Sequence, residues 1–430
     1  MSYELWGMSY CKNYLVAVVI VWFLSSPNLA AQAPLNEVIY PTLASVNLHP
    51  TGIPTATPFI PLNGGQITFR FDDLEADYKN YNLRVIHCSH DWWPSELHPS
   101  EYLDGFYEIS ITDIEDSFGT KVNYTHYVVE LPSVDMVWTR SGNYCIEVFD
   151  PTYPEEVMIR KRFVVYEDLC KIEGRISEPI EVSQKRSHQE VLFSVFEENY
   201  SLIDPYSNLH VSVLQNGRWD NALSNIPPRF IKGKELDYSN VGYVFPGGNS
   251  YRFADLKSLS FTARGIAGIK QGEMTFHHLL NPSERRTYKY HNTRPDINGR
   301  FVISNDRFEA HTGSDYTRAH FSLPMPYRIH GRSVYIFGDI SNGMYLDSHK
   351  LTWDDETSSY KGSLLLKQGY YDFLYLVKDD GAPFGEPGFT ADLEGDHFAT
   401  DNLYSILVYY SDYEGYDRVI GIQQWNNGQQ

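Results

Sequence analysis

Apolar and polar residues alternate with a period of two along much of this chain. Ile67, Phe69 and Phe71 alternate with polar residues, and the apolar residues of 371–377 do the same around Asp372. A period of two places successive side chains on opposite faces of a β-strand. No long segment shows the period of an α-helix. The pattern predicts an all-β protein whose strands each bury one face and expose the other.

Turn sequences separate these short strands. They include Asn63-Gly64, Asn216-Gly217, Asn298-Gly299 and Asn342-Gly343. Asn-Gly pairs favour tight turns because both residues tolerate a positive φ. Short strands at such spacing are typical of β-sandwiches, so we predict tandem immunoglobulin-like β-sandwich domains.

Shifts in composition place the domain boundaries. Polar, charged segments at 166–188 and 281–300 separate three β-rich stretches of ordinary domain size. We predict a signal peptide at 1–31, an N-terminal β-sandwich at 32–168, a middle β domain at 169–310 and a C-terminal domain at 311–430.

The N-terminus has the three parts of a secretory signal peptide. Lys12 precedes an apolar run at 15–24, and small residues follow it. A membrane-spanning helix needs about 20 apolar residues, roughly twice this run. We expect cleavage after Ala31 or Ala30, with Met1 or Met8 as the start and no membrane span in the mature chain.

Charge excludes one class of partner. The formal net charge is −20, with no basic stripe to offset it. A dense negative surface repels phosphate backbones at contact range. We therefore expect no binding to nucleic acid or to anionic membrane surfaces.

Three cysteines follow the predicted cleavage site: Cys88, Cys145 and Cys170. An odd number in an exported protein leaves at least one thiol unpaired. Cys88 and Cys145 either bridge two sheets of the first domain or are buried free thiols, which pack as small hydrophobes.

The segment 81–106 concentrates residues that bind metals in other proteins. His87, His90, Asp91 and His98 lie close together, but their spacing matches no zinc motif. His87 and Cys88 point to opposite faces of a strand. We predict no metal site and expect these histidines to bond nearby backbone, with Trp92-Trp93-Pro94 closing a sandwich edge.

Catalytic motifs are also missing from the sequence. There is no Gly-x-Ser-x-Gly elbow and no phosphate loop, and carboxylate pairs such as Glu394 and Asp396 are expected by chance in an acidic chain. We interpret Glu394 and Asp396 as solvated surface charge. The predicted protein is not an enzyme and has no catalytic residue and no cofactor.

The last domain resembles the early-set, glycogen-binding-like immunoglobulin domains. The resemblance rests on the segments 334–339, 359–364 and 367–373. In that family a tryptophan after the first strand stacks on sugar, whereas Ser341-Asn342-Gly343-Met344 stands there in this chain. Trp353 is the remaining candidate. A periplasmic carbohydrate-binding or carbohydrate-processing protein is the alternative function.

The order of motifs along the chain resembles the plug proteins of the type IX secretion system of Bacteroidota. The matching segments are Phe71-Asp72-Asp73-Leu74, His87-Cys88 with Asp91-Trp92 and Pro94-Ser95, Glu101 to Phe106, Tyr124 to Tyr127, Ser141 to Tyr144, Gln215 to Trp219, Phe245 to Asn249, Asp296 to Gly299, Leu366 to Tyr370 and Asn402 to Tyr410. Ser250-Tyr251-Arg252 departs from the pattern, which expects an acidic residue and phenylalanine before the arginine.

This resemblance implies a periplasmic protein on the inner side of the outer membrane. It would occlude the periplasmic mouth of a giant β-barrel translocon while no substrate is in transit. Barrels of up to about 36 strands are roughly 70 Å across, and a compact chain of about 400 residues is roughly 55 Å wide. Trp92, Trp93 and Trp219 are candidate partner-binding residues because such rings dominate interface energetics, with core packing as the alternative that the sequence favours for each.

Overall fold

Strands make up most of the structure, which is a computed structural model describing residues 36–427 except 199, 240–241, 290–293, 308, 384 and 412–414. The all-β prediction is confirmed. The predicted signal peptide lies outside the described residues. No helix within the described ranges is long and apolar enough to cross a membrane. The described residues fall in one compact unit.

The first region, residues 36–168, is a sandwich. Its elements are β1 Glu37–Val38, β2 Leu43–Pro50, β3 Phe59–Pro61, β4 Ile67–Asp73, β5 Asn82–Cys88, α1 Pro99–Tyr102, β6 Leu103–Gly105, β7 Glu108–Ser110, β8 Asp113–Asp116, β9 Thr125–Leu131, β10 Met136–Trp138, β11 Gly142–Phe149 and β12 Val157–Tyr166. One sheet has the order β1-β12-β11-β5-β7 with β3 beside β12, and the other β2-β4-β9-β8. Their inner faces form one hydrophobic core.

The second region joins residues 169–250 to 400–427. Its elements are β13 Cys170–Ser177, β14 His188–Glu197, α2 Pro205–Asn208, β15 Leu209–Gln215, β16 Phe230–Lys232, β17 Glu235–Asp237 and β18 Val244–Pro246, completed by the two C-terminal strands. One sheet is β13-β14-β17-β16 with β18 beside β14. In the other, the first of the two C-terminal strands pairs with β15 on one side and with the last strand on the other, and a second core lies between the sheets.

The third region, residues 251–398, lies along the chain between the two segments that form the second region. Its elements are β19 Arg252–Asp255, β20 Ile266–Gln271, β21 Phe276–Leu280, β22 Phe301–Ile303, α3 Ala310–Gly313, β23 Tyr316–Pro324, β24 Arg332–Phe337, β25 Lys350–Asp354, β26 Ser359–Lys367 and β27 Gly369–Asp379; β28 Leu403–Ser411 and β29 Asp417–Asn426 then return to the second region. One nine-stranded sheet surrounds the third core.

The three cores are not consecutive along the chain. The first ends near the predicted boundary at 168, but no core ends at 310. Strand β21 pairs with β23 across that position, and β15 pairs with β28. Independent folding of 169–310 and 311–430 stays a prediction, as does the immunoglobulin-like assignment.

The three cysteines in the described residues are free and buried. Cys88 and Cys145 lie on neighbouring strands of one sheet, where Cys88 faces Asn143 and Cys145 faces Ile86. They therefore do not bridge two sheets. Burial raises the pKa of the Cys88 thiol to about 12, so it packs as a neutral group.

Candidate functional site

The segment between β5 and β6 folds back on the strand that precedes it. Pro94 and Cys88 form an isolated antiparallel β-bridge, and the Ser95 N–H donates to the His87 carbonyl at 2.9 Å. The ring of His87 contacts Ser95 Oγ at 2.9 Å and the Ser141 carbonyl at 3.3 Å. Burial lowers the pKa of His87 to about 4, so the ring is neutral. This histidine bonds its neighbours as the sequence predicts.

His98 and His90 have different partners. His98 is the N-cap of α1 and accepts from the Ser100 N–H. His90 donates its backbone N–H to Asp417 at 2.7 Å, and its Nδ1 lies 2.8 Å from the same carboxylate oxygen. His87, His90 and His98 thus belong to separate hydrogen-bond groups.

A cluster that the sequence analysis missed surrounds His90. Ligand atoms of His90, His210 and Asp417 lie within 4.8 Å of one another. The two rings stack nearly parallel, with centroids 3.8 Å apart. Parallel rings direct their nitrogen lone pairs into separate planes, whereas zinc lies about 2.1 Å from each nitrogen along its lone pair. The stacked arrangement therefore suits an imidazole–carboxylate bond better than a shared ion.

Trp92 is buried between the first two regions. Its side chain is 4% exposed and its backbone adopts a positive φ of 72°. The Arg162 guanidinium lies 4.4 Å from the ring centroid, and the Trp219 ring meets it edge-on at 4.8 Å. Such contacts are worth about 0.5–2 kcal/mol each. Trp92 and Trp219 therefore act together in holding two regions against each other.

The structure separates Trp93 from this pair. Trp93 is 39% exposed, whereas Trp219 is partly buried. Of the three candidate partner-binding residues, Trp93 is the one whose ring is presented to solvent. Whether any of the three contacts a partner stays a prediction.

Trp353 does not present a free stacking surface. It is partly buried on β25, where its ring meets Tyr360 edge-on at 5.1 Å. Its indole N–H donates to the Asp355 carboxylate at 2.8 Å. The ring position gives the carbohydrate alternative no support.

The interpretation of Glu394 as solvated charge is wrong. Its carboxylate is fully buried and accepts from Arg252 Nε at 2.9 Å and Arg286 Nε at 2.7 Å. Burial alone would raise the pKa of Glu394, but these two guanidinium groups hold it below its ordinary value. Glu394 is a structural counter-ion, because segments remote in sequence fold over it.

A second buried carboxylate joins the first and third regions. Asp72 on β4 contacts His126 Nδ1 at 2.6 Å, Tyr316 Oη at 2.6 Å and Lys367 Nζ at 2.7 Å. We call these four residues the Asp72 cluster; all are buried, and Asp72, His126 and Lys367 line a cavity of about 460 Å³. Burial would raise the pKa of Asp72, but the Lys367 ammonium and His126 lower it overall.

A larger cleft, of about 580 Å³, opens where the three regions meet. Lys161 on β12, Trp219 after β15 and Arg300 before β22 line it from one region each. Lys161 is 7% exposed, and its Nζ donates to Asn342 Oδ1 at 2.9 Å. Burial lowers the pKa of Lys161 to about 8.

Comparisons with known proteins settle the family. A hypothetical protein from Parabacteroides merdae ATCC 43184, with a crystal structure at 2.30 Å resolution, is 31% identical with a TM-score of 0.88. The alignment covers 92% of this chain and 100% of that chain. Residues 43–167 match the family described as Type 9 secretion system plug protein 1st domain. The chain belongs to the type 9 secretion system plug protein family.

The matched segment coincides with the first region. It contains Trp92, Trp93, Asp72 and Lys161. The residues that the first region contributes to its junctions with the second and third regions therefore lie within the family domain. The partial N-terminal region of an enterococcal surface protein aligns with 93% of this chain and 97% of its own, but at 9% identity and a TM-score of 0.20. That likeness carries no argument. No curated protein matches the sequence significantly.

Proposed function

We propose that this member of the plug family closes the periplasmic mouth of the giant outer-membrane β-barrel translocon when no substrate is in transit. The observation that supports this role is the match of residues 43–167 to the first domain of type 9 secretion plug proteins. The proposal includes a periplasmic location on the inner side of the outer membrane. It also includes action by steric occlusion, without enzymatic chemistry.

The connections between the three regions suit a protein that occludes a pore by its bulk. The second region is built from two segments that enclose the third in sequence, and the Asp72 cluster and the Trp92–Trp219 contact tie the first region to both. A body that resists a pressure difference or a passing chain has to keep its regions together. Buried contacts at both junctions supply that cohesion.

The decisive experiment uses a Bacteroidota host whose translocon is present but idle. Deleting the plug gene should increase the entry of a large antibiotic that the outer membrane normally excludes. Deleting the barrel gene as well should restore exclusion, because the open pore is then removed. An outer membrane that stays equally impermeable after the single deletion would overturn the proposal.

A binding measurement tests the exposed tryptophan. The tagged protein, purified from envelope extracts in gentle detergent, should carry a very large barrel protein with it. Trp93→Ala should reduce the amount of barrel recovered, because exposed aromatic rings often anchor interfaces. Phe230→Ala is the matched control, since Phe230 is 48% exposed in another region. Equal loss in both variants would remove Trp93 as a specific contact.

A further inference from the structure

The cleft between the three regions has the dimensions and composition of a ligand site. Its volume of about 580 Å³ falls within the roughly 300–1,000 Å³ of small-molecule pockets. Aromatic side chains, among them Trp219, Phe337 and Tyr345, line it together with basic residues. A cavity of this size admits a small molecule and excludes a folded domain.

Two of its arginines already have carboxylate partners. Arg218 forms a bidentate pair with Asp220, at 3.0 and 2.7 Å, and lies 4.8 Å over the Phe337 ring. Arg300 Nη1 donates to Asp339 at 2.8 Å. These pairs fix the two guanidinium groups in the wall and use the two carboxylates that are nearest to them.

Lys161 differs from both arginines. Among the described residues its ammonium has one hydrogen-bond acceptor, the neutral amide oxygen of Asn342, and no carboxylate within ion-pair distance. An ammonium has three N–H donors, and burying a charge without a counter-charge is costly. The other two N–H donors of Lys161 have no acceptor among the described residues, and Lys161 lines the cleft.

The surrounding backbone keeps Lys161 and Arg300 near each other. Asn342 adopts a positive φ of 56° at the end of a short 3₁₀ turn, which presents its side chain to Lys161. A Cβ on Gly217 would lie 2.7 Å from Arg300 Nη2, so the absence of a side chain there lets Arg300 approach. These contacts order both cations before any ligand arrives.

In the outer part of the cleft, by contrast, positive and negative side chains balance one another in number. Lys350 and Lys378 line it with Asp347, Asp379 and Asp380. Asp379 is already paired with Arg332 at 2.7 Å. Apart from Asp379, the outer lining thus has as many carboxylates as lysines, whereas Lys161 in the buried wall has no carboxylate partner, within a protein whose net charge is −20.

We propose that this cleft binds a small organic anion, with its carboxylate or phosphate group at Lys161 and Arg300 and its apolar body against Trp219. This role is independent of translocon closure. The negative net charge of the protein makes general attraction of anions weak, so binding depends on the local geometry of the wall.

Citrate and inorganic phosphate are suitable probes. Each is titrated into the purified protein at pH 7, with sodium chloride at equal ionic strength as the reference, by calorimetry and by Trp fluorescence. Saturable binding of either probe supports the site, and the tighter one identifies the preferred group. Responses equal to those in chloride overturn the proposal.

Lys161→Met is the test variant and Lys232→Met the control, because the Lys232 side chain is 62% exposed and lies in the second region. Losing charge-assisted hydrogen bonds should weaken binding about 10- to 100-fold in Lys161→Met. The control should bind as the wild type does. Equal affinity in Lys161→Met would refute the assignment.

A second measurement needs no variant. Burial, opposed by Asp339 and reinforced by Arg300, lowers the pKa of Lys161 to about 8. Citrate keeps its charge above pH 7, so its affinity for the wild type should fall between pH 7 and 9.5 as Lys161 loses its proton. Affinity that is constant over this range would contradict the role of Lys161.

Discussion

Two lysines are buried where the first and third regions meet, and they differ in their partners. Lys367 is 1% exposed and lies 2.7 Å from the Asp72 carboxylate. Lys161 is 7% exposed and donates to the amide of Asn342. Each lysine also lines a cavity. The charge of Lys367 is neutralised within the protein, whereas that of Lys161 is not.

This difference separates a structural charge from a candidate binding charge. A buried ion pair that is fully hydrogen-bonded fixes the geometry of a junction, although its net contribution to stability is small. A buried ammonium with a neutral partner costs free energy in the folded state. A ligand that supplies the counter-charge would recover that cost. The Asp72 cluster therefore fixes a junction, and the larger cleft remains available to bind.

The largest expected effect comes from breaking the Asp72 cluster. Asp72→Asn would leave Lys367 buried without a carboxylate. Breaking a buried pair from one side typically costs about 3–5 kcal/mol. Urea unfolding followed by Trp fluorescence should show this loss in the free energy of unfolding.

Two controls make this result specific. Glu75→Gln removes an exposed carboxylate from a lysine pair and should change stability by less than about 0.5 kcal/mol. Lys367→Met should cost less in the Asp72→Asn background than in the wild type, since no counter-charge remains to be orphaned. Additive losses would show that Asp72 and Lys367 are not coupled.

The next largest effect is expected at the junction of the first and second regions. Trp92→Ala would remove a buried ring from its contacts with Arg162 and Trp219, at a cost of about 3 kcal/mol. Trp93→Ala, next to it in sequence, should change the free energy of unfolding by less than about 0.5 kcal/mol because Trp93 is 39% exposed. Equal losses in thermal or urea unfolding would contradict the distinction between the two tryptophans.

Local patterns predict much of the fold. The apolar residues Ile67, Phe69 and Phe71 are buried on β4 as their alternation indicates. Asn298 and Asn342 adopt positive φ, each before a glycine that does the same, as Asn-Gly turns require. Each of these features depends on residues close together in sequence.

The buried charges could not be predicted in the same way. Thr68 and Asp72 occupy the face of β4 that the alternation assigns to solvent, yet both are buried because the third region covers that face. Lys161 on β12 is likewise a polar residue that is buried. A single-sequence pattern identifies a polar face, but what packs on that face is decided by segments hundreds of residues away.

The same limit applied to the candidate site. The sequence indicates all three tryptophans as possible contacts with a partner. The structure pairs Trp92 with Trp219 and leaves Trp93 exposed. His210 and Asp417 were not linked to His90 by any motif, because they come from β15 and β29. Their proximity follows from the return of the chain to the second region.

The smallest effect, and the one that sharpens the comparison of the two lysines most, is the pH dependence of stability at Lys161. Its pKa is about 8 in the folded state and about 10.4 in an unfolded chain. Between these values the unfolded state binds more protons at Lys161, so this residue should make the free energy of unfolding rise with pH, by at most about 1.4 kcal/mol per pH unit. The three buried cysteines act in the opposite direction, because their thiols ionise at about pH 8.5 once the chain unfolds. The measured quantity is therefore the free energy of unfolding of the wild type minus that of Lys161→Met, in which the cysteines cancel; it should rise between pH 8 and 9.5, below the ionisation of unfolded tyrosines.

This measurement is made in chloride without citrate or phosphate, because an anion bound at Lys161 would raise its pKa and flatten the rise. Adding citrate should therefore reduce the pH dependence of the difference between the wild type and Lys161→Met, whereas the profile of the variant itself should not change. A wild-type profile that matches the variant in both solutions would mean that Lys161 is neutralised within the protein, as Lys367 is by Asp72. The two lysines would then be equivalent, and the cleft would have no unmatched charge to offer a ligand.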